Sequence, residues 1–138
     1  SDLIGGPHGT PFNDLSQLPA IAALSNVSLR AGSRVDRVSV QLTNGTNLSH
    51  GGNGGTEKTL TLASGEYVVS VTISAAQYQN RTRIFFVEYR TNQGRTLSGG
   101  TRTGQTVTYT APTGWQFAGF YGNAGNEVDK LGIIYIKR

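Results

Sequence analysis

Two stretches of the chain place a carboxylate four residues after a glycine. One is Gly125-Asn126-Glu127-Val128-Asp129 and the other Gly32-Ser33-Arg34-Val35-Asp36. With short residues between, such a loop can turn several backbone N–H groups and one carboxylate into the same small space. Donors beside a charged acceptor match a ring of neighbouring hydroxyls, as on a sugar. Catalysis is not indicated. A glycosidase needs two carboxylates flanking one bond, whereas Glu127 and Asp129 share a loop. No Ser-His-Asp set, nucleophile elbow or metal cluster accompanies them. Two histidines, His8 and His50, and no cysteine make a poor metal set and exclude disulfides. No cofactor or metal is expected.

The elements that hold these loops read as strands. Residues 125–129 run into Lys130-Leu131-Gly132-Ile133-Ile134-Tyr135-Ile136, and residues 32–36 into Arg37-Val38-Ser39-Val40-Gln41-Leu42. Further period-two segments lie at 27–30, 59–62, 67–73, 84–90, 106–109 and 115–121. Asn44-Gly45 is a strong hairpin signal. Residues 1–24 open with glycines and prolines and read as a fixed loop. A helical turn is conceivable at 15–24, limited by Pro19. Residues 75–82 are polar and read as a loop. Ten or so short strands, 19 glycines and a 36% share of hydrophobic residues describe an all-β sandwich, barrel or prism.

The chain also repeats. Glycine pairs at Gly5-Gly6, Gly51-Gly52 and Gly99-Gly100 begin 46 and then 48 residues apart, and His8 and His50 fall at what read as matching places. Asp36 and Asp129 are 93 residues apart, about two repeats. The missing middle copy falls near residue 83, where the chain has Arg81-Thr82-Arg83 and no acid. A three-fold repeat implies three equal units, here three small sheets about a shared core.

Twelve basic and eight acidic residues give a net charge of +4. The arginines are scattered. Alternating strands could gather Arg81, Arg83 and Arg95, which keeps a binder of anionic polymers as the competing class beside an oligomerisation module. No nucleic-acid partner is expected. No apolar run reaches about 18 residues, so no spanning helix is expected. The 138 residues suit one domain. With no methionine and no leader, residues 1–138 read as a single domain excised from a larger secreted protein, or a processed chain.

At this point the residues carry a resemblance. The run His50-Gly51-Gly52-Asn53-Gly54-Gly55-Thr56, then Gly65-Glu66-Tyr67-Val68, residues 84–92, and Gly119-Phe120-Tyr121-Gly122 ahead of the Gly125 to Asp129 spacing resembles the jacalin-related lectins. The resemblance covers nearly the whole chain. It implies the β-prism I fold, three four-stranded Greek-key sheets with pseudo-three-fold symmetry. It also implies a lectin for mannose-type sugars or the mannose core of glycoprotein N-glycans.

Carried over, Gly9 and His8 form the first wall of a sugar site. Gly125, Asn126 and Glu127 supply the loop and its backbone donors, Asp129 accepts two hydroxyls, and Arg81 and Thr82 come nearest from a third loop at 75–82. A second site has Gly32, Ser33, Arg34 and Asp36 facing Gly51 and Gly52. Family loops often place aromatics where this chain has Asn126 and Glu127, so stacking falls to Tyr78, Tyr121, Trp115 or His8. The unbroken first loop resembles the mannose-preferring branch. Asn80-Arg81-Thr82-Arg83-Ile84-Phe85 resembles bacterial members, appended to secreted cytolysins and biofilm-matrix adhesins. A secreted adhesive role follows from that likeness; oligomeric state does not.

Overall fold

The computed structural model describes residues 1–20 and 23–138; Ile21 and Ala22, inside the segment read as a helical turn, lie outside them. Twelve strands form three four-stranded antiparallel sheets. The first sheet joins the two ends of the chain in the order β1 (Leu3–Gly5), β12 (Val128–Lys137), β11 (Trp115–Ala124) and β2 (Thr10–Asn13). The second runs β5 (Asn47–Gly51), β4 (Val35–Leu42), β3 (Leu24–Ala31), β6 (Thr56–Thr61). The third runs β10 (Gln105–Thr110), β7 (Val68–Tyr78), β8 (Arg81–Thr91), β9 (Thr96–Gly100). In each sheet the fourth strand returns beside the first, which is Greek-key order; the first sheet follows it once the chain ends are joined. The architecture is therefore the expected three-sheet prism.

Alternation builds the core. Val27 and Leu29, Val38 and Val40, Val71 and Ile73, Val87 and Tyr89, and Leu131 and Ile133 all point inward and are buried, as period-two strands require. Tyr89, Phe117 and Phe120 form an aromatic cluster with ring centroids 4.9–6.3 Å apart. The Tyr89 hydroxyl is satisfied by donating to the Ser28 carbonyl at 3.1 Å.

Several expectations are corrected. Residues 1–24 are not only loop: β1 and β2 pair with β12 and β11 across the joined ends. The helical turn shrinks to a 3-10 turn at Leu15–Gln17. Residues 75–82 are not a loop but the end of a hairpin. Tyr78 pairs with Arg81, and Gln79 and Asn80 both have positive φ, 53° and 64°. That is a two-residue turn of the mirror-image type whose twist matches paired strands. Gln-Asn lacks the Asn-Gly signature, so the sequence pattern hid it.

One backbone device recurs in all three sheets. The ladder skips Asp129 between Asn123↔Lys130 and Ala124↔Val128, and skips Asp36 between Arg30↔Arg37 and Ala31↔Val35. In the third sheet it skips Phe85, between Ser74↔Phe86 and Ala75↔Ile84. Each is a β-bulge, which re-aims the extra side chain. Each bulged residue's carbonyl accepts a backbone N–H from its glycine loop: Gly6 to Asp129 at 2.9 Å, Gly52 to Asp36 at 2.8 Å, Thr101 to Phe85 at 2.7 Å. The third unit's counterpart of the two aspartates is thus Phe85, not residue 83. Its counterpart of Gly5 and Gly51 is Gly100, so the third glycine pair is out of phase by one. All three of those glycines have positive φ and sit hard against the bulged residue's carbonyl, where no Cβ fits.

Candidate functional site

The bulge brings the Asp129 carboxylate to the junction of the chain ends. Asp129 is only 4% exposed. A Cβ on Gly9 would come 2.6 Å from its Oδ2 and 3.0 Å from the Ala124 backbone, and Gly9 has φ of +86°. The glycine therefore leaves room for the carboxylate at the cleft floor. Among the described residues no protein group hydrogen-bonds that carboxylate. Burial pushes its pKa up; the Arg83, Arg81 and His8 charges oppose this, and Glu127 adds to it.

The cleft above it is about 490 Å³ and is lined by Gly9, Gly125, Asn126, Glu127 and Asp129 from the first sheet's loops, and by Tyr78, Gln79, Arg81 and Arg83 from the β7–β8 hairpin. Arg34 of the β3–β4 loop completes it. Four loops from three different sheets thus converge on one opening.

Glu127 ties them together. Its carboxylate accepts from Arg34 Nε at 2.7 Å and Nη2 at 3.2 Å, and meets Arg83 Nη1 at 3.0 Å. Burial pushes the Glu127 carboxyl up, but the Arg34 hydrogen bond and the Arg83 and Arg34 charges outweigh it and hold it below the ordinary glutamate value. Arg34 also lies over the Tyr78 ring at 3.7 Å. Glu127 was expected to act through its backbone; its side chain is instead the cross-link between sheets. Arg34 and Glu127 stand at equivalent places in the two glycine-to-aspartate loops, each closed by the same turn, Gly32 N–H to Arg34 carbonyl and Gly125 N–H to Glu127 carbonyl.

The predicted site residues divide as follows. Gly9, Gly125, Asn126, Glu127, Asp129 and Arg81 come together in the cleft. His8 is exposed and near enough to act on Asp129 by its charge, but does not line the cleft. Thr82 is elsewhere: it packs under Gly6, where a Cβ would meet its side chain at 2.8 Å. Arg34, expected beside Asp36, lines the cleft over Asp129 and also acts on Asp36 by its charge. Sequence reasoning placed Arg83 only in a possible basic patch and Gln79 only in the third loop, naming neither as a site residue, yet both line the cleft; a hairpin register would have shown Arg81 and Arg83 on one face of β8.

The second aspartate, Asp36, is half-buried. Cβ atoms on Gly54 and Gly55 would meet its oxygens at 2.5 and 2.7 Å. These glycines, rather than Gly51 and Gly52, stand beside the carboxylate. Gly51 lies against the Asp36 backbone, and Gly52 packs on the Asn126 carbonyl of the neighbouring loop. Gly32 and Ser33 are exposed at the loop tip. Burial raises the Asp36 pKa and Glu127 raises it further, against Arg34 and Arg30. Arg30 braces the loop by donating to the Gly54 and Gly55 carbonyls at 3.0 and 3.1 Å.

His8 and His50 are not counterparts. The bulge contacts align Gly9 with Gly55, so His8 matches Gly54. His50 instead stacks on Phe12 at 3.7 Å and bonds the buried Asp14 at 2.6 Å, linking two sheets. Of the stacking candidates only Tyr78 lines the cleft. Trp115 pairs with Lys137 at the far end of β12 from Asp129, and the Tyr121 hydroxyl donates to the Ser1 carbonyl. Arg95 binds Glu66 beyond the other end of β8, so Arg81, Arg83 and Arg95 do not gather.

Residues 1–134 match the family described as the Jacalin-like lectin domain. The chain is similar to secreted RxLR effector protein 19 of Plasmopara viticola, 27% identical over 97% of this chain and 78% of that protein. It is similar to griffithsin of Griffithsia sp., 29% identical over 95% and 92%. Its fold is that of a mannose-binding jacalin-related lectin from Ananas comosus, with a TM-score of 0.84, 22% identity and coverage of 100% and 96%.

Proposed function

The chain belongs to the jacalin-like lectin domain family, and from that premise we propose that it holds a mannose-type hexopyranose in the cleft over Asp129. One observation carries the reading: a buried carboxylate, pushed out of its ladder by a bulge, faces a cleft without a protein hydrogen-bond partner among the described residues. A pair of sugar hydroxyls donates to it, with the backbone N–H groups of Gly9, Asn126 and Glu127 donating to the same oxygens. Burial of apolar area is small, so a single sugar binds weakly and avidity depends on repeated sites. The names of solved relatives support the sugar class, the Ananas comosus lectin being described as mannose binding.

Binding proceeds without catalysis. Glu127, the only other acid in the cleft, is held ionised by two arginines and is not free to act as a proton donor. A second, weaker site lies at Asp36 against Gly54 and Gly55, where Glu127 rather than a free arginine is the neighbour. In its finer form the reading is a secreted module, residues 1–138 of a longer protein, that adheres to the mannose core of host or matrix N-glycans, as in bacterial matrix adhesins. The secreted relative from Plasmopara viticola is in keeping with export.

Titrating methyl α-mannoside into the chain and into Asp129→Ala tests the site. Saturable binding whose tighter component disappears in the variant, leaving only the weaker Asp36 site, with a native circular dichroism spectrum, is expected. Equal binding by both would place the sugar elsewhere.

A further inference from the structure

The cleft holds more positive charge than its own carboxylates use. Three guanidiniums, of Arg34, Arg81 and Arg83, face two carboxylates, Glu127 and Asp129. Glu127 engages Arg34 and Arg83. Arg34 is further committed to the Tyr78 face. Arg81 is left over: among the described residues its guanidinium makes no hydrogen bond, ion pair or ring contact, and its Nε is buried without a partner. Arg83 Nε is also buried without one. A desolvated donor left unpaired costs free energy that an incoming acceptor returns. The cost is larger for a charged group, and a ligand in the cleft that accepts from Arg81 lowers it.

The ligand's chemistry follows from the two ends of the cleft. Asp129 favours neutral hydroxyl donors and repels an anion. Arg81 lines the same cleft and offers a planar fork that fits a carboxylate, sulfate or phosphate through two parallel hydrogen bonds. The Gln79-Asn80 turn fixes the backbone of this arginine, because Arg81 is paired in register with Tyr78 immediately after it.

We propose that the cleft selects an acidic saccharide, with a neutral pair of hydroxyls on Asp129 and an anionic substituent of the same or the adjoining sugar on Arg81. The inference rests on the sugar site at Asp129 and names the substrate class for it. Arg83 lines the same cleft and adds its positive charge beside the anion, while Glu127 keeps the Arg83 side chain aimed.

Calorimetry on the full chain tests this with methyl α-mannoside, its individual phosphate and sulfate monoesters, methyl α-mannuronate as the carboxylate arm, and inorganic phosphate. At least one anionic mannoside binds about tenfold more tightly than the neutral one, and that preference weakens in high salt. In Arg81→Gln the preference shrinks to about threefold or less. In Arg81→Lys, which keeps the charge without the fork, it is intermediate. Circular dichroism checks that both variants fold. If the neutral mannoside binds through Asp129 and no anionic derivative binds more tightly, the acidic subsite is refuted and the sugar site stands. A preference that survives Arg81→Gln equally refutes it. If phosphate binds through Arg81 while no mannoside binds, the sugar site itself is wrong, and the acidic-saccharide inference falls with it.

Discussion

Replacing Glu127 by glutamine removes one negative charge and leaves the shape of the cross-link intact. In the native chain that carboxylate serves Arg34 at 2.7 and 3.2 Å and Arg83 at 3.0 Å, with side-chain exposures of 14% for Glu127, 23% for Arg34 and 12% for Arg83. Fully exposed pairs contribute about 0.2–1 kcal/mol, and breaking a fully buried pair costs about 3–5 kcal/mol. This cluster lies between those limits, and the glutamine oxygen still accepts one hydrogen bond from an arginine. The loss is therefore about 2 kcal/mol. For a chain of this size that lowers Tm by about 8 °C.

The sign with pH follows from the depressed Glu127 pKa. A carboxylate whose folded pKa lies below its unfolded one stabilises the fold above the unfolded value, and that stabilisation is lost as pH falls through the folded value. The gap between native chain and Glu127→Gln is thus full at pH 7 and closes in acid. Differential scanning calorimetry across that range reads it. A variant within about 0.5 kcal/mol of the native chain at pH 7, or a gap that does not change with pH, would refute the cross-link.

Gly9→Ala forces a side chain at a φ of +86° and sets its Cβ 2.6 Å from Asp129 Oδ2; the fold loses about 1–2 kcal/mol, and mannoside affinity falls by about tenfold or more, by calorimetry. In Glu66→Gln the effect depends on pH. Arg95 and Thr91 hydrogen bonds hold the Glu66 carboxyl down to about 2, so the native chain's advantage in Tm is complete above the ordinary value of 4.5 and fades between there and about 2. Asp36→Ala reduces the mannoside bound per chain from two to one in a calorimetric stoichiometry, and leaves the tighter site in place.

Much of the fold was legible because strands advertise their buried face every second residue. Val38-Ser39-Val40-Gln41-Leu42 and Val27-Ser28-Leu29-Arg30 announce themselves in this way, and Asn44-Gly45 marks a turn that is indeed one, with Gly45 at φ of +92°. What stayed hidden is local irregularity. A bulge carries no side-chain signature, so nothing in the spacing of Arg83, Ile84 and Phe85 says which residue the ladder skips. The counterpart of the two aspartates was accordingly placed two residues early. β1 is only three residues long and is held by β12 from the other end of the chain, an interaction no local pattern records. The side-chain role of Glu127 was missed for a related reason. Arg34 lies 93 residues away, and the pair meets only because equivalent loops of two sheets lean together at the prism's end. The same closure brings Gly9 to Asp129.

The sugar is expected to bind where the two ends of the chain meet. Titration of the nitrogen-15-labelled chain with methyl α-mannoside, followed by amide chemical shifts, tests it most directly. Saturable shifts are expected, largest at Gly9, Asn126, Glu127 and Asp129, with a smaller set at Gly54, Gly55 and Asp36. Shifts confined to the outer faces of the sheets, or none at Gly9 and Asn126 while the sugar binds, would contradict it.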